Sequence, residues 1–192
     1  MKLNQFLVIL LMSLLLGACG RNKEPFYYVL NPIFLQTKQG NQYNNLRIGI
    51  DEVNVPDYLD KPQLSLYCTA NQSRIHENHL WAEEVESNIK RVIKTNLSTL
   101  LPGALIEQMP WDSKFNPQYR LQVDIGQFKV NIQGWSTLQA EYVIYNDNKP
   151  IKKYTVYYRQ KIPLVNPHTL VVSMNENLTR LTKDIAGKLI SP

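Results

Sequence analysis

Three runs of alternating apolar residues between Tyr119 and Ile162 constrain the fold most strongly. Apolar side chains at every second position indicate strands that bury one face. The first run changes phase next to Gly126, which predicts a β-bulge. Turn residues at 133–134 and 146–149 join the runs end to end. We therefore predict a three-stranded antiparallel meander in this part of the chain.

Two segments show helical periodicity instead. The first covers 81–101, with acidic residues early and basic residues late, as the helix dipole favours. The second begins with Asn166 as N-cap and Pro167 at the first helical position, and its apolar stripe ends at Leu189. Further strand-like runs occur at 26–30, 46–53, 64–69, 74–76 and 104–108.

Each predicted helix has one apolar stripe, which it must bury against a sheet. The pattern therefore predicts an α+β fold with α/β-type layers, in which two helices cover one mixed, largely antiparallel sheet. A chain of this length fits one domain, which we place at 26–192.

The amino terminus has the features of an export signal. A positive charge at Lys2 precedes an apolar run over 6–16, which is too short to span a bilayer. Small residues at 17–18 then precede Cys19, the pattern of a bacterial lipobox. We predict a signal peptide over 1–18, lipid attachment at Cys19 and a tether over 19–25. An ordinary signal peptide with an incidental cysteine remains the alternative.

The tether limits where the domain can work. Six residues follow Cys19 before the first strand, and fully extended they reach ~20 Å. The domain must therefore stay close to its membrane. The formal net charge is +5. We do not expect nucleic acid as a partner, because export separates the two and the basic residues look scattered. Weak attraction to anionic lipid headgroups is the better interpretation.

The second cysteine, Cys68, has no partner for a disulfide if Cys19 carries lipid. It alternates with Leu64 and Leu66 on the apolar side of a predicted strand. We predict a buried, unreactive thiol.

Motifs for catalysis or metal binding are not evident. The histidines at 76 and 79 have the wrong spacing for a zinc protease, and we expect them to be solvated residues before a helix. The sequence contains no Gly-x-Ser-x-Gly motif and no glycine-rich phosphate loop. We therefore predict no catalytic residues, no metal site and no cofactor.

Apolar residues in exposed contexts are the remaining candidates for function. Tyr58 and Leu59 lie on a loop bounded by prolines, and Trp81 is placed at the start of a helix. Such residues can mark a partner-binding surface. The alternative is that they close the ends of the core.

Several motifs together resemble one family. They are Pro-x-Tyr-Leu-Asp-x-Pro-Gln-Leu over 56–64, Trp-Ala-Glu at 81–83 and Arg-Leu-x-Val-Asp-Ile-x-x-Phe over 120–128. With the lipobox, they resemble the PqiC/YmbA family of auxiliary lipoproteins of ABC-type transport. Tyr142 departs from the pattern, since the family would have tryptophan there.

The resemblance implies a fold like the amino-terminal domain of TolB. It also implies an outer-membrane lipoprotein that faces the periplasm. The implied partner is an Mce-domain protein, similar to MlaD or PqiB, within a system that carries lipids between membranes. Gly20 after the lipidated cysteine is consistent with outer-membrane sorting.

The leading hypothesis is therefore a non-catalytic lipoprotein subunit of an Mce-type intermembrane lipid transport system that supports envelope integrity. Two other classes remain open. One is an envelope enzyme, either an esterase or a peptidoglycan hydrolase. The other is an assembly lipoprotein of a secretion or cell-wall machine. Association into a homo-oligomer also remains open.

Overall fold

A computed structural model describes residues 24–33, 40–69, 71–147 and 149–191. The predicted signal peptide, Cys19 and residues 19–23 of the tether lie outside the described residues. The described elements are β1 (Phe26–Tyr28), β2 (Arg47–Asn54), a 3-10 turn (Asp57–Leu59), β3 (Gln63–Thr69), β4 (Gln72–Trp81), α1 (Val85–Leu100), β5 (Leu105–Gln108), β6 (Tyr119–Asn131), β7 (Trp135–Asn146), β8 (Lys149–Lys161) and α2 (Pro167–Ile190).

The predicted meander is confirmed. β6, β7 and β8 pair antiparallel in chain order. The register of β6 against β7 shifts between Ile125 and Gln127, so a bulge lies at Gly126 as predicted. Gly134 adopts φ of 77° in the turn between β6 and β7. That left-handed conformation favours glycine because it has no Cβ.

The rest of the sheet assembles on the other edge of β6. β2 pairs in parallel with the first half of β6, and β3 pairs in parallel with its end. β5 extends the sheet beyond β2, whereas β4 and then β1 extend it beyond β3. The long pairings are antiparallel and the short ones mostly parallel, so the predicted mixed, largely antiparallel sheet is confirmed.

Both helices pack on the sheet and on each other. α1 packs on β2 and β5, and α2 packs on the meander strands. Their apolar stripes meet the inward side chains of β6 and β7, including fully buried Phe128 and Tyr142. α2 begins as predicted, since the Asn166 side chain accepts a hydrogen bond from the Thr169 N–H within a capping box.

The boundary predicted for the first helix is wrong. α1 begins at Val85, and Trp81 is the last residue of β4. The Trp81 N–H donates to the carbonyl of Pro62 at 2.7 Å, and Trp81 pairs in register with Tyr28 of β1. Because its backbone contacts Pro62 on one side and β1 on the other, Trp81 is part of a strand although its spacing in the sequence is helical. The histidine segment consequently lies within a strand rather than before a helix.

The prediction of a buried Cys68 is also wrong, since this side chain is half-buried. The register of β3 against β4 shifts between Tyr67 and Thr69, which places Cys68 at an irregular position. A bulge takes a side chain out of the simple alternation that Leu64 obeys. In the described residues, neither helix combines the length and apolarity needed to cross a bilayer.

Candidate partner surface

The three residues predicted to bind a partner lie together around one small cavity. Tyr58, Leu59 and Trp81 line it with residues of β3, β6 and α2. Its volume of about 10 Å³ is near the lower limit for a single water molecule. An acyl chain does not fit there.

Leu59 and Trp81 are each only 8% exposed. The hydroxyl oxygen of Tyr58 accepts a hydrogen bond from the N–H of Phe128 at 2.8 Å. Burial raises the pKa of Tyr58 to about 12. These residues close one end of the core, which was the alternative interpretation of the sequence. Their role in partner binding stays a prediction.

An ion pair with a buried carboxylate links β2 and β6. Asp51 is 5% exposed and faces Arg120, whose Nε lies 2.8 Å from the Asp51 Oδ2. Lys90 also donates to the backbone oxygen of Asp51 at 3.0 Å. The hydrogen bond that Arg120 donates to Asp51 raises the pKa of Arg120. Both oxygens of the Asp51 carboxylate accept hydrogen bonds from the Arg120 side chain, so this pair joins β2 to β6.

The two strand histidines pack against each other, and His79 also contacts aromatic residues of β1. The His76 and His79 rings lie 5.7 Å apart, and Tyr28 Oη is 2.9 Å from His79 Nδ1. Burial, with nearby His79 and Arg74, lowers the pKa of His76. Among the described residues, no group of three or more His, Cys, Asp or Glu side chains could hold a metal ion.

The strongest charged feature is the edge strand β8. Its sequence contains five basic residues and no acidic residue. That excess equals the formal net charge of the whole chain, which is +5. In the described part of the chain, β8 pairs only with β7, so its other edge is open. We call this strand the basic edge; its charged residues are Lys149, Lys152, Lys153, Arg159 and Lys161.

Aromatic side chains lie among these charges. The Arg159 guanidinium carbon is 3.9 Å from the centre of the Trp135 ring, and the Lys161 Nζ is 5.0 Å from it. Tyr157 is 58% exposed on the same strand. The basic edge therefore offers positive charge, an exposed aromatic ring and unpaired backbone groups to a partner. Such an edge can accept an additional strand.

The expectation of scattered basic residues is wrong, because β8 gathers five of them. The signal was present in the sequence as a run of 13 residues with no acidic member. Alternation of Tyr154, Val156 and Tyr158 indicates only the half-buried face of that run. Only the pairing pattern shows that its other backbone edge is open.

Comparison with known proteins assigns the family. A family model described as the ABC-type transport auxiliary lipoprotein component matches residues 28–186. The chain belongs to this family. The expected PqiC/YmbA relationship is confirmed, because the intermembrane transport lipoprotein PqiC of Escherichia coli strain K12 is 24% identical over 147 residues. That match covers 76% of this chain and 77% of PqiC, and PqiC of Shigella flexneri matches equally.

Solved structures show the same fold. The crystal structure of an uncharacterised protein superposes with a TM-score of 0.73 at 22% identity, covering 87% of this chain and 99% of that one. A protein from Xanthomonas campestris superposes with a TM-score of 0.65 at 13% identity, covering 87% and 93%. Family membership makes this chain a membrane-associated transport auxiliary lipoprotein.

Proposed function

We propose that the chain is a non-catalytic subunit of an Mce-type system that moves lipids between membranes and supports envelope integrity. The observation that carries the proposal is the family match over residues 28–186. The printed name of the PqiC relatives, intermembrane transport lipoprotein, supports the same assignment.

In this proposal, residues 1–18 are removed as a signal peptide and Cys19 carries the lipid. Residues 19–25 tether a domain over 26–192 to the periplasmic face of the outer membrane. Acyl chains contribute ~0.8 kcal/mol per buried CH₂, so several chains together anchor the protein stably. The short tether keeps the domain at its membrane, so an Mce-domain partner must span the remaining distance.

The basic edge is the surface that we assign to this partner. It lies at the opposite end of the sheet from β1, where the tether enters the domain. Its positive charge fits an acidic segment of the partner. A homo-oligomer of this chain could present several basic edges together, and its size is measurable by light scattering.

Affinity capture tests the proposal. Lipidated protein, solubilised from envelopes, should retain an Mce-domain protein. Repeated capture without an Mce-domain protein would contradict the proposal. Capture of secretion or cell-wall components instead would favour the assembly alternative. Esterase or peptidoglycan hydrolase activity that is lost on changing one polar side chain would favour an enzyme.

The anchor has a separate test. Cys19→Ala should release the domain from the membrane or leave the precursor uncleaved. Normal processing together with retained membrane attachment would contradict lipidation at Cys19.

A further inference from the structure

The β1 end of the sheet exposes two neighbouring aromatic side chains. Phe26 is 62% exposed and Tyr27 is 64% exposed. Successive residues of a strand point to opposite faces of the sheet. The same edge therefore carries an exposed ring on each face. Within the described part of the chain, β1 is the last strand at this end.

The strand that carries these rings is held in place by the fold. The Phe26 ring stacks on His79 with 5.3 Å between ring centres. β1 pairs in parallel with the end of β4. Just beyond β1, the Asn88 side chain accepts from the Leu30 N–H at 2.7 Å and donates to the Leu30 carbonyl at 2.9 Å. Because β1 is fixed to the core, its position relative to the domain is defined.

The chain order places this edge beside the anchor. Phe26 follows Cys19 by seven positions, and that length of chain spans at most ~25 Å. We propose that the β1 edge seats on the membrane interface, with Phe26 and Tyr27 at the level of the lipid headgroups. This inference rests on the proposed lipidation of Cys19.

A lipid surface fits this edge better than a protein partner does. A protein interface needs one complementary patch, whereas Phe26 and Tyr27 face opposite ways. A fluid interface can surround both faces of an edge that enters it. Aromatic rings are favoured at the boundary between lipid and water.

Fluorescence quenching tests the seating. Lipidated protein would be reconstituted in vesicles of phosphatidylethanolamine and phosphatidylglycerol whose headgroup region carries a nitroxide label, a short-range quencher of tryptophan at that depth. Tyr27→Trp introduces the probe at the β1 edge. Tyr157→Trp is the matched control, because Tyr157 is 58% exposed on β8 at the opposite end of the sheet. The wild-type signal of the native tryptophans is subtracted.

The added tryptophan of the Tyr27→Trp variant should lose most of its fluorescence, and that of Tyr157→Trp should lose none. Flotation with the vesicles shows whether the chain is anchored. An unquenched Tyr27→Trp on an anchored chain overturns the seating and leaves the anchor intact. Equal quenching at both positions also overturns it. Wild-type protein that does not float refutes the lipid anchor and this inference with it. If Tyr27→Trp does not fold, Phe26→Trp gives the same readout.

Discussion

The two ends of the sheet differ in length, charge and attachment. β1 has three residues, no charged side chain and two exposed aromatic rings. β8 has 13 residues and five positive charges. Five strand spacings of about 4.8 Å separate them along the sheet. The difference suggests a division of labour in which the apolar end faces lipid and the charged end faces a partner.

The largest effect on the free energy of unfolding should come from the side chain that clamps the segment after β1. Asn88 is 1% exposed and makes both hydrogen bonds to the Leu30 backbone. Asn88→Ala leaves a buried N–H and a buried carbonyl unpaired, so we expect a loss of about 2–4 kcal/mol. Urea denaturation measures it, and amide exchange should accelerate at β1 before β8.

Ser98→Ala is the control on the same helix, since Ser98 is exposed and bonds only within α1. It should change the free energy of unfolding by less than about 0.5 kcal/mol. Similar losses for Asn88→Ala and Ser98→Ala would show that the clamp does not fix β1 to the core.

The second prediction concerns the attachment of the β8 end to the helices. The Tyr142 hydroxyl donates to Asp184 Oδ2 at 2.7 Å, and the Tyr142 ring stacks on Tyr154 of β8 with 4.9 Å between centres. Burial raises the pKa of Tyr142. Tyr142→Phe keeps the ring and removes the bond to a charged acceptor, so we expect a loss of about 1–2 kcal/mol.

The matched control is Tyr145→Phe, which removes a 3.0 Å hydrogen bond to the neutral side chain of Gln122. It should cost less, about 0.5–1 kcal/mol. If thermal denaturation shows a larger loss of stability for Tyr145→Phe than for Tyr142→Phe, the bond from Tyr142 to Asp184 is not what attaches β7 to α2.

The sequence predicted this β8 end better than the β1 end, for a physical reason. Meander strands pair with their neighbours in the chain, so alternation and local turns specify them almost completely. β1 pairs instead with residues 79–81, far along the chain. The strand pairing of Trp81 is therefore invisible to local periodicity, which assigned that residue to a helix.

Polar residues in the core show the same limit. Asn88 and Asn96 lie on the apolar stripe of α1, but their partners include the backbone N–H groups of Leu30 and Ile33. A sequence shows such residues as interruptions of a stripe and cannot show what they bind. The basic edge was missed for another reason. The sequence shows its charges, but it does not show that one side of the β8 backbone is unpaired.

The third prediction concerns alkaline pH and Tyr58, whose hydroxyl accepts a hydrogen bond from the Phe128 N–H of β6, a strand that lies between the two ends of the sheet. The pKa of Tyr58 is about 12 in the folded protein, against 10.0 for an ordinary tyrosine. Between these values the unfolded chain loses the proton while the folded chain keeps it. Stability is therefore complete below pH 10 and falls as the pH rises towards 12.

Melting temperatures measured from pH 9 to 12 check this dependence. Tyr58→Phe should lower stability at neutral pH, because the Phe128 N–H loses its acceptor, and should flatten the alkaline decline. Because burial also raises the pKa of Tyr158 to about 12, some decline should remain. An unchanged slope in Tyr58→Phe would contradict the assignment.

The smallest effect on stability should come from charge reversal on the basic edge, which directly tests the role assigned to the β8 end of the sheet. Lys152→Glu with Lys161→Glu reverses two exposed charges, so the free energy of unfolding should change by less than about 1 kcal/mol. Capture of the Mce-domain protein should nevertheless be lost, and wild-type capture should weaken as salt is added. Lys61→Glu with Lys114→Glu makes the same charge change at exposed positions outside β8 and should leave capture intact. If both pairs weaken capture equally, net charge alone attracts the partner and the basic edge has no special role.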